Sequence, residues 1–320
     1  MGMTNYKNGI ISMGVPVINS LGIGNVYHVI KSTEAFYEDF RKKRQTTYSD
    51  GSVNIHSAIQ SALDATVECR NDYVVVYPSD SDFDLTTALT MTKKSVHLVC
   101  PAGMTGTIGA TNAVRVDAQD LTTAGTLLTI SDSSCEVAGF YFKGDTDKTV
   151  IDLTALAHTS NIHHNTIGLK VLAGASTVYG IYGTGETSGV MIYNNFVTIM
   201  YPDAATKTIG GGIVLENGTR ALIENNLIAV GGFGDTMSVG ISAGSGAVSL
   251  IKDNYLVENM SGTGTASTFT VGIQISAGGA AIGNRGCMTT PNNLLAGGTA
   301  SKTAVDNWGS AAGNTIQDAG

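Results

Sequence analysis

A short motif built around asparagine recurs through the second half of the chain. An isoleucine stands three residues before the asparagine in four copies, and an alanine does so in the fifth. The asparagines are Asn165, Asn195, Asn226, Asn254 and Asn284, at intervals of 30, 31, 28 and 30 residues. Glycine followed by isoleucine repeats between them, at 180–181, 212–213, 240–241 and 272–273. Because two markers stay in phase at one period, the chain is predicted to be a solenoid whose repeats bury their apolar sides against their neighbours.

The residues inside each repeat predict strands. Runs rich in Val, Ile, Tyr and Thr nearly alternate with polar residues and are broken by Gly, Asn, Asp and Ser, which is typical of β-strands. A repeat of about 30 residues is too long for one strand and its turn. Each repeat is therefore predicted to be a coil of two or three strands, and the coils should stack in parallel about 4.8 Å apart.

Stacked coils bring equivalent positions into register. We therefore expect the five repeat asparagines to form a column, the asparagine ladder, at one turn of every coil. Asparagine tolerates the left-handed backbone of a tight turn, and its amide can bond the amides above and below it. The ladder is predicted to be structural.

This pattern resembles the right-handed parallel β-helix of the pectate-lyase superfamily. The superfamily includes pectin-degrading enzymes and many bacteriophage tail spikes and other virion proteins. The resemblance covers the chain from about residue 54 onward. It implies an all-β fold with a short N-terminal helical cap, because the first coil of a solenoid otherwise exposes unpaired edges and core.

The N-terminal part of the chain is divided into two segments before the regular coils. Residues 1–50 are predicted to form an arm, with a strand at 26–30 and a short helix at 32–44. Residues 51–95 should contain the capping helix, at 54–69, and the first coil. The capping helix is predicted from apolar residues that recur on one of its faces.

The remaining segments are the coils, at 96–290, and a C-terminal cap or tail, at 291–320. Gly139 stands in an early coil where later copies place the ladder asparagine. Trp308, the only tryptophan, either caps the last coil or inserts into a partner. At the other end, the apolar stretch 9–18 either packs on the first coil or docks on a partner chain.

Composition restricts the function. A net charge of −8 argues against a general nucleic-acid binder, which must neutralise phosphates. The start lacks the apolar core of a secretion signal, and no later run is long enough to span a bilayer. We therefore expect synthesis in a host cytoplasm and release by lysis, as for a virion component. Four scattered cysteines are predicted to be buried or half-buried thiols: Cys69, Cys100, Cys135 and Cys287.

Catalytic motifs of the superfamily are missing from the coils. The resemblance would imply calcium-binding aspartates with an arginine base in a lyase, or paired aspartates with a histidine and Arg-x-Lys in a hydrolase. The predicted coils contain no Asp-Asp, Gly-His-Gly or Arg-x-Lys, and their only arginines are Arg115, Arg220 and Arg285. The sequence therefore predicts no catalytic residue, no metal site and no cofactor.

One surface column is a candidate binding site. Two residues before four of the ladder asparagines stand His163, Tyr193, Glu224 and Lys252, whose side chains should point outward because the flanking isoleucines point inward. Polar and aromatic stripes of this kind can hold a sugar chain. The alternative is a solvated sheet face with a Glu224–Lys252 pair worth under ~1 kcal/mol.

These observations favour a bacteriophage virion structural protein, such as a capsid decoration, fibre or tail-spike subunit. The expected partners are other virion proteins, bound through the N-terminal segment, and further copies in a symmetric homo-oligomer such as a trimer. The alternatives are a polysaccharide lyase or depolymerase, and a carbohydrate-binding adhesin that contacts host-surface glycans. One fold hosts many functions, so the ladder alone does not choose among them.

Overall fold

The computed structural model describes most of the chain from residue 24 onward. The described residues are 24–43, 53–104, 114–118, 125–144, 148–169, 174–185, 187–199, 207–216, 220–231, 234–244, 249–258, 267–275, 279–288, 294–296, 303–305, 308–310 and 316–318. Strands dominate them and the three helices are short. None of the helices in these ranges is long and apolar enough to cross a membrane.

The elements are numbered in chain order. They are β1 (Val26–Val29), α1 (Tyr37–Lys43), β2 (Ile55–His56), α2 (Ile59–Ala65), β3 (Asp72–Val76), β4 (Phe83–Asp84), β5 (Leu89–Met91), β6 (Val96–Val99), α3 (Pro101–Met104), β7 (Val114–Asp117), β8 (Gly125–Ile130), β9 (Glu136–Ala138), β10 (Phe140–Lys143), β11 (Lys148–Leu153), β12 (Asn161–His163), β13 (Thr166–Leu169), β14 (Gly174–Gly183), β15 (Ser188–Tyr193), β16 (Phe196–Ile199), β17 (Lys207–Leu215), β18 (Arg220–Glu224), β19 (Leu227–Val230), β20 (Thr236–Ala243), β21 (Leu250–Lys252), β22 (Tyr255–Glu258), β23 (Thr268–Ile275), β24 (Ala280–Ile282), β25 (Arg285–Cys287), β26 (Leu295–Ala296), β27 (Thr303–Val305), β28 (Trp308–Ser310) and β29 (Ile316–Asp318).

The strands form three long sheets. The first sheet has the order β2-β1-β3-β6-β9-β12-β15-β18-β21-β24-β27, the second β29-β28-β25-β22-β19-β16-β13-β10-β7-β4, and the third β26-β23-β20-β17-β14-β11-β8-β5. Neighbouring strands are parallel in the described ranges, except that β28 and β29 are antiparallel. Each coil passes from the first sheet to the second and then the third, as in β12, β13 and β14. This right-handed parallel β-helix confirms the fold predicted from the repeat.

The interior of the solenoid is a stack of equivalent apolar side chains. Ile162, Ile192, Ile223 and Ile251 are each paired with the next in the first sheet, and each is 0% exposed. These are the isoleucines that precede the ladder asparagines by three residues. The repeated motif therefore supplies one core residue to every coil.

The helical cap is present but shorter than predicted. Ile59, Ala62 and Leu63 of α2 are buried in the core of the first coils. The helix does not extend over 54–69, because residues 55 and 56 form β2 and pair with β1. Similarly, α1 begins at Tyr37 rather than residue 32, since the residues before it form turns.

The solenoid extends beyond the segment predicted for the coils at both ends. β1 pairs with β3, so the first sheet begins inside the segment predicted to be an arm. At the C-terminus, β26, β27 and β28 add one strand to each sheet. Trp308 begins β28, opposite Arg285. The apolar stretch 9–18 lies outside the described residues.

The asparagine ladder forms inside the turn between the first and second sheets. The Nδ2···Oδ1 distances from each side chain to the next along the ladder are 3.1, 3.0, 3.0 and 3.0 Å. Asn226 also donates from Nδ2 to the carbonyl of Ile192 at 2.9 Å, and its Oδ1 accepts the backbone N–H of Asn195 at 3.0 Å. All five ladder side chains are at most 2% exposed.

The left-handed backbone of this turn occurs one residue earlier than predicted. The residues with positive φ are His164, Asn194, Asn225, Asp253 and Gly283, with φ of 56°, 55°, 53°, 54° and 67°. They turn the chain, and the asparagine after each of them points inward. The motif therefore uses two residues for the turn and the inward-pointing amide, where the sequence predicts one residue for both.

Gly139 is not the early counterpart of a ladder asparagine. Ala138 pairs with His163, so Gly139 lies opposite His164 and shares its positive φ, at 83°. Phe140 is opposite Asn165, and its backbone N–H donates to Asn165 Oδ1 at 3.1 Å. The ladder therefore begins at Asn165.

The second sequence marker is a column of glycines in the third sheet. A Cβ on Gly180, Gly212 or Gly240 would lie 2.6 Å from the carbonyl oxygen of the next glycine in the column, and the last of these is Gly272. The glycines are therefore required by the close approach of adjacent coils.

The cysteines divide into two classes. Cys100 and Cys135 are buried, whereas Cys69 and Cys287 are exposed, so the prediction of four buried or half-buried thiols was wrong for two of them. Burial raises the pKa of the Cys135 thiol to about 11. All four are free thiols.

Candidate functional site

The four residues of the predicted stripe lie in one column of the first sheet, but His163 is buried, at 4% exposed. His163 pairs with Tyr193, Tyr193 with Glu224, and Glu224 with Lys252. The rings of His163 and Tyr193 are stacked, with centroids 4.6 Å apart. Lys252 Nζ lies 2.7 Å from Glu224 Oε2. The stripe thus consists of an aromatic pair and an ion pair, and its role in binding glycans stays a prediction.

The aromatic half of the stripe belongs to a larger network. Glu136 lies between two imidazoles: its Oε1 is 2.8 Å from Nε2 of His163, and its Oε2 is 2.7 Å from Nδ1 of His97. The other nitrogen of His97 is 2.7 Å from Asn71 Oδ1. The ring of Tyr73 stacks on His97 at 4.3 Å. We call Tyr73, His97, Glu136, His163 and Tyr193 the His–Glu–His cluster.

A second histidine extends the cluster toward the turn. His163 Nδ1 and His164 Nδ1 are 2.8 Å apart, so one of them donates and the other accepts. His164 Nε2 is 3.4 Å from the side-chain amide of Asn194. Burial, reinforced by His163, lowers the pKa of His164.

The cluster holds a carboxylate in its ionised form. Burial alone would raise the pKa of Glu136, but hydrogen bonds and charge interactions with His163 and His97 lower it to about 2. The side chain of Glu136 is only 16% exposed, which weakens screening by water. The cluster therefore links β3, β6, β9, β12 and β15 across the first sheet, and it does so in coils that mostly precede the asparagine ladder.

Acidification should weaken these early coils. The stabilisation by Glu136 is complete above its ordinary pKa of 4.5 and is lost as pH falls from 4.5 through about 2, because protonation removes the charge-assisted hydrogen bonds. The lowered pKa corresponds to roughly 3 kcal/mol. We expect the free energy of unfolding, measured by urea titration at several pH values, to fall by about this amount across the window.

The matched variants are Glu136→Gln and Glu224→Gln. The first should remove most of this pH dependence, because glutamine cannot ionise. The second changes a carboxylate on the same face whose partner is Lys252, and it should leave the dependence in place. An unchanged pH profile in Glu136→Gln would show that other carboxylates control acid unfolding.

Glu136 and His97 were missed from the sequence for an identifiable reason. They pair across adjacent coils but are 39 residues apart in the chain, whereas the ladder repeats at about 30. The longer connection includes α3 and residues outside the described ranges. A search at the regular period therefore cannot place Glu136 next to His97.

A second missed feature is an aromatic ridge on the outer face of the second sheet. It is formed by residues in one register position, most of which directly follow a ladder asparagine. They are Tyr141, Thr166, Phe196, Leu227, Tyr255 and Arg285. Tyr255 is 55% exposed. The signal was present in the sequence, one position beyond each repeat asparagine.

The described residues contain no group of three or more His, Cys, Asp or Glu arranged to hold a metal ion. The network of Lys143 on the second sheet is made of ion pairs: its Nζ lies 2.6 Å from Asp82 Oδ2 and 2.6 Å from Asp117 Oδ2. These contacts connect β10 to β7 and to the loop before β4. Their arrangement supports the first coils.

Comparison with family models finds no match to the chain, and comparison with curated proteins finds none. Two solved structures are similar to it. ORF18 of Geobacillus virus E2 has a TM-score of 0.30 and 12% identity, covering 78% of this chain and 56% of that one. The Dettilon tailspike protein gp208 has a TM-score of 0.32 and 12% identity, covering 78% and 64%.

The chain thus spans less than two thirds of either matched structure.

Proposed function

We propose that this chain is a structural protein of a bacteriophage particle, a β-helical subunit of a capsid decoration, fibre or tail spike. The supporting observation is the continuous register of the coils. Within the described ranges the first sheet contains eleven strands, which corresponds to a rod roughly 50 Å long. Hydrogen bonds between strands join the coils, and those between ladder asparagines reinforce the coils from Asn165 to Asn284. Such a rod suits a component that holds other proteins at fixed distances.

The aromatic ridge offers the surface for such contacts. Tyr, Phe and Arg are enriched at protein interfaces, and Tyr141, Phe196, Tyr255 and Arg285 contribute these side chains along one line. We propose that the ridge packs against further copies in a symmetric oligomer.

The experiment is incorporation into particles. Deleting residues 1–23 removes the apolar stretch predicted to dock on a partner but keeps Gly24, whose backbone packs against Asn71. We expect the truncated chain to fold with an unchanged melting temperature and to be absent from purified particles. The full-length chain should copurify with a major capsid protein.

Deletion of residues 1–8 is the matched control, because it shortens the chain but keeps the apolar stretch 9–18. That variant should still enter particles. If the 1–23 deletion entered particles as efficiently as the full-length chain does, the proposal that the N-terminal segment is the anchor would be wrong. If the full-length chain never copurified with capsid protein, the virion proposal itself would fail.

A further inference from the structure

An acidic aromatic cluster lies on the outer face of the third sheet. Asp152 of β11 pairs with Tyr182 of β14. The ring of Tyr179 stacks on that of Tyr182, with centroids 4.3 Å apart and an interplanar angle of 5°. Tyr182 forms a side-chain hydrogen bond with Glu216, the residue after β17. Asp152, Tyr179, Tyr182 and Glu216, here called the tyrosine–carboxylate cluster, are all partly exposed.

The carboxylate of Asp152 is poorly stabilised by its surroundings. Its Oδ1 is buried and has no hydrogen-bond partner among the described residues. Burial raises the pKa of its carboxyl, which means that the ionised form is disfavoured at this place. A nearby positive charge therefore stabilises this partly buried carboxylate more than it would stabilise a fully solvated one.

The other residues of the cluster also create a negative electrostatic potential. Burial raises the pKa of Tyr182, and the neighbouring carboxylates of Glu216 and Asp152 raise it further. Burial and Glu216 likewise raise the pKa of Tyr179. The faces of tyrosine rings are also negative and attract cations within about 6 Å of the ring centre. Rings and carboxylates therefore all favour a cation over a neutral ligand.

From this geometry we infer that the tyrosine–carboxylate cluster is a binding site for an ammonium group. The charge would lie against the exposed side of Asp152 and the face of a tyrosine ring, as quaternary and primary ammonium groups do in aromatic cages. A calcium ion fits less well, because it takes six to eight oxygen ligands and the cluster has two carboxylates. The ammonium group would come from a lysine side chain of a partner protein or from an amino sugar.

Binding can be measured on the isolated full-length chain by NMR titration of the tyrosine resonances. The probes are Nα-acetyl-lysine amide and glucosamine, with Nα-acetyl-norleucine amide and N-acetylglucosamine as their uncharged counterparts. We expect saturable shifts with the charged probes and affinities at least about tenfold weaker for the uncharged ones, a factor that corresponds to 1.4 kcal/mol. Binding of the lysine amide but not of glucosamine would show that the ligand is a lysine side chain of a partner protein. Binding of glucosamine would show that the site also accepts amino sugars.

Asp152→Asn is the deciding variant, because it keeps the shape of the side chain and removes the charge. Its affinity for the charged probes should fall at least about tenfold. Asp253→Asn is the control, since asparagine occupies the same turn position at Asn194 and Asn225. Equal affinity of Asp152→Asn and the unmodified chain, or equal binding of charged and uncharged probes, would overturn the inference. The result is independent of particle incorporation, so it does not depend on the virion proposal.

Discussion

Replacing Asn226 by alanine is expected to lower the free energy of unfolding by about 3–5 kcal/mol. Its side chain connects three coils through Asn195, Asn254 and the carbonyl of Ile192. The substitution leaves these buried groups without a partner, and each buried unsatisfied group costs about 1–3 kcal/mol. Urea denaturation measures the loss, and faster hydrogen exchange of the Asn195 amide should locate it.

The neighbouring asparagine provides the control. Asn225 is exposed and has a φ of 53°, which glycine adopts without strain. Asn225→Gly should therefore change the free energy of unfolding by no more than about 0.5 kcal/mol. Should Asn226→Ala prove as mild as Asn225→Gly, the ladder would contribute little to stability.

Replacing Gly240 by alanine should destabilise the chain by about 3 kcal/mol, although only one methyl group is added. The new Cβ would lie 2.6 Å from the carbonyl oxygen of Gly272 and 2.6 Å from Cδ2 of Leu256. The carbonyl belongs to the paired backbone of the adjacent coil and cannot move without breaking the sheet, which places this change at the upper end of overpacking effects. A thermal or urea melt would measure the effect.

Ser238→Ala is the comparison on the same strand. Ser238 is partly exposed and its replacement adds no atoms, so the free energy of unfolding should stay within about 0.5 kcal/mol of the original. Similar melting temperatures for the Gly240 and Ser238 variants would mean that adjacent coils can separate to admit a Cβ.

The repeat predicted most of the fold because the same contacts recur at the same period. Asn226 and Gly240 were visible as markers, since a position in one coil faces its equivalent in the next. The separate roles of the two neighbouring residues in the motif could not be predicted from the sequence. Only the backbone angles show that Asn225 makes the turn while Asn226 lies in the core.

The features that the sequence did not reveal lie where the spacing between coils departs from about 30 residues, or where a residue type does not recur from coil to coil. Glu136 and His97 meet across a connection nine residues longer than the regular repeat, taking 39 against the usual 30. β1 joins the first sheet without any repeat marker. Asp152 and Tyr182 are neighbours in register, but each occurs in only one coil, so no recurrence could reveal them.

The hydrogen bonds from one side-chain amide of the asparagine ladder to the next all run in the same direction along the rod. Each coil donates its Nδ2 to the Oδ1 of the coil that follows in the chain, from Asn165 through to Asn284. A chain emerging from the ribosome begins with its N-terminus. The last coil to form therefore has an Nδ2–H group available, and the next coil to be synthesised supplies the Oδ1 that accepts its hydrogen bond. Growth of the rod can therefore follow translation, one layer at a time.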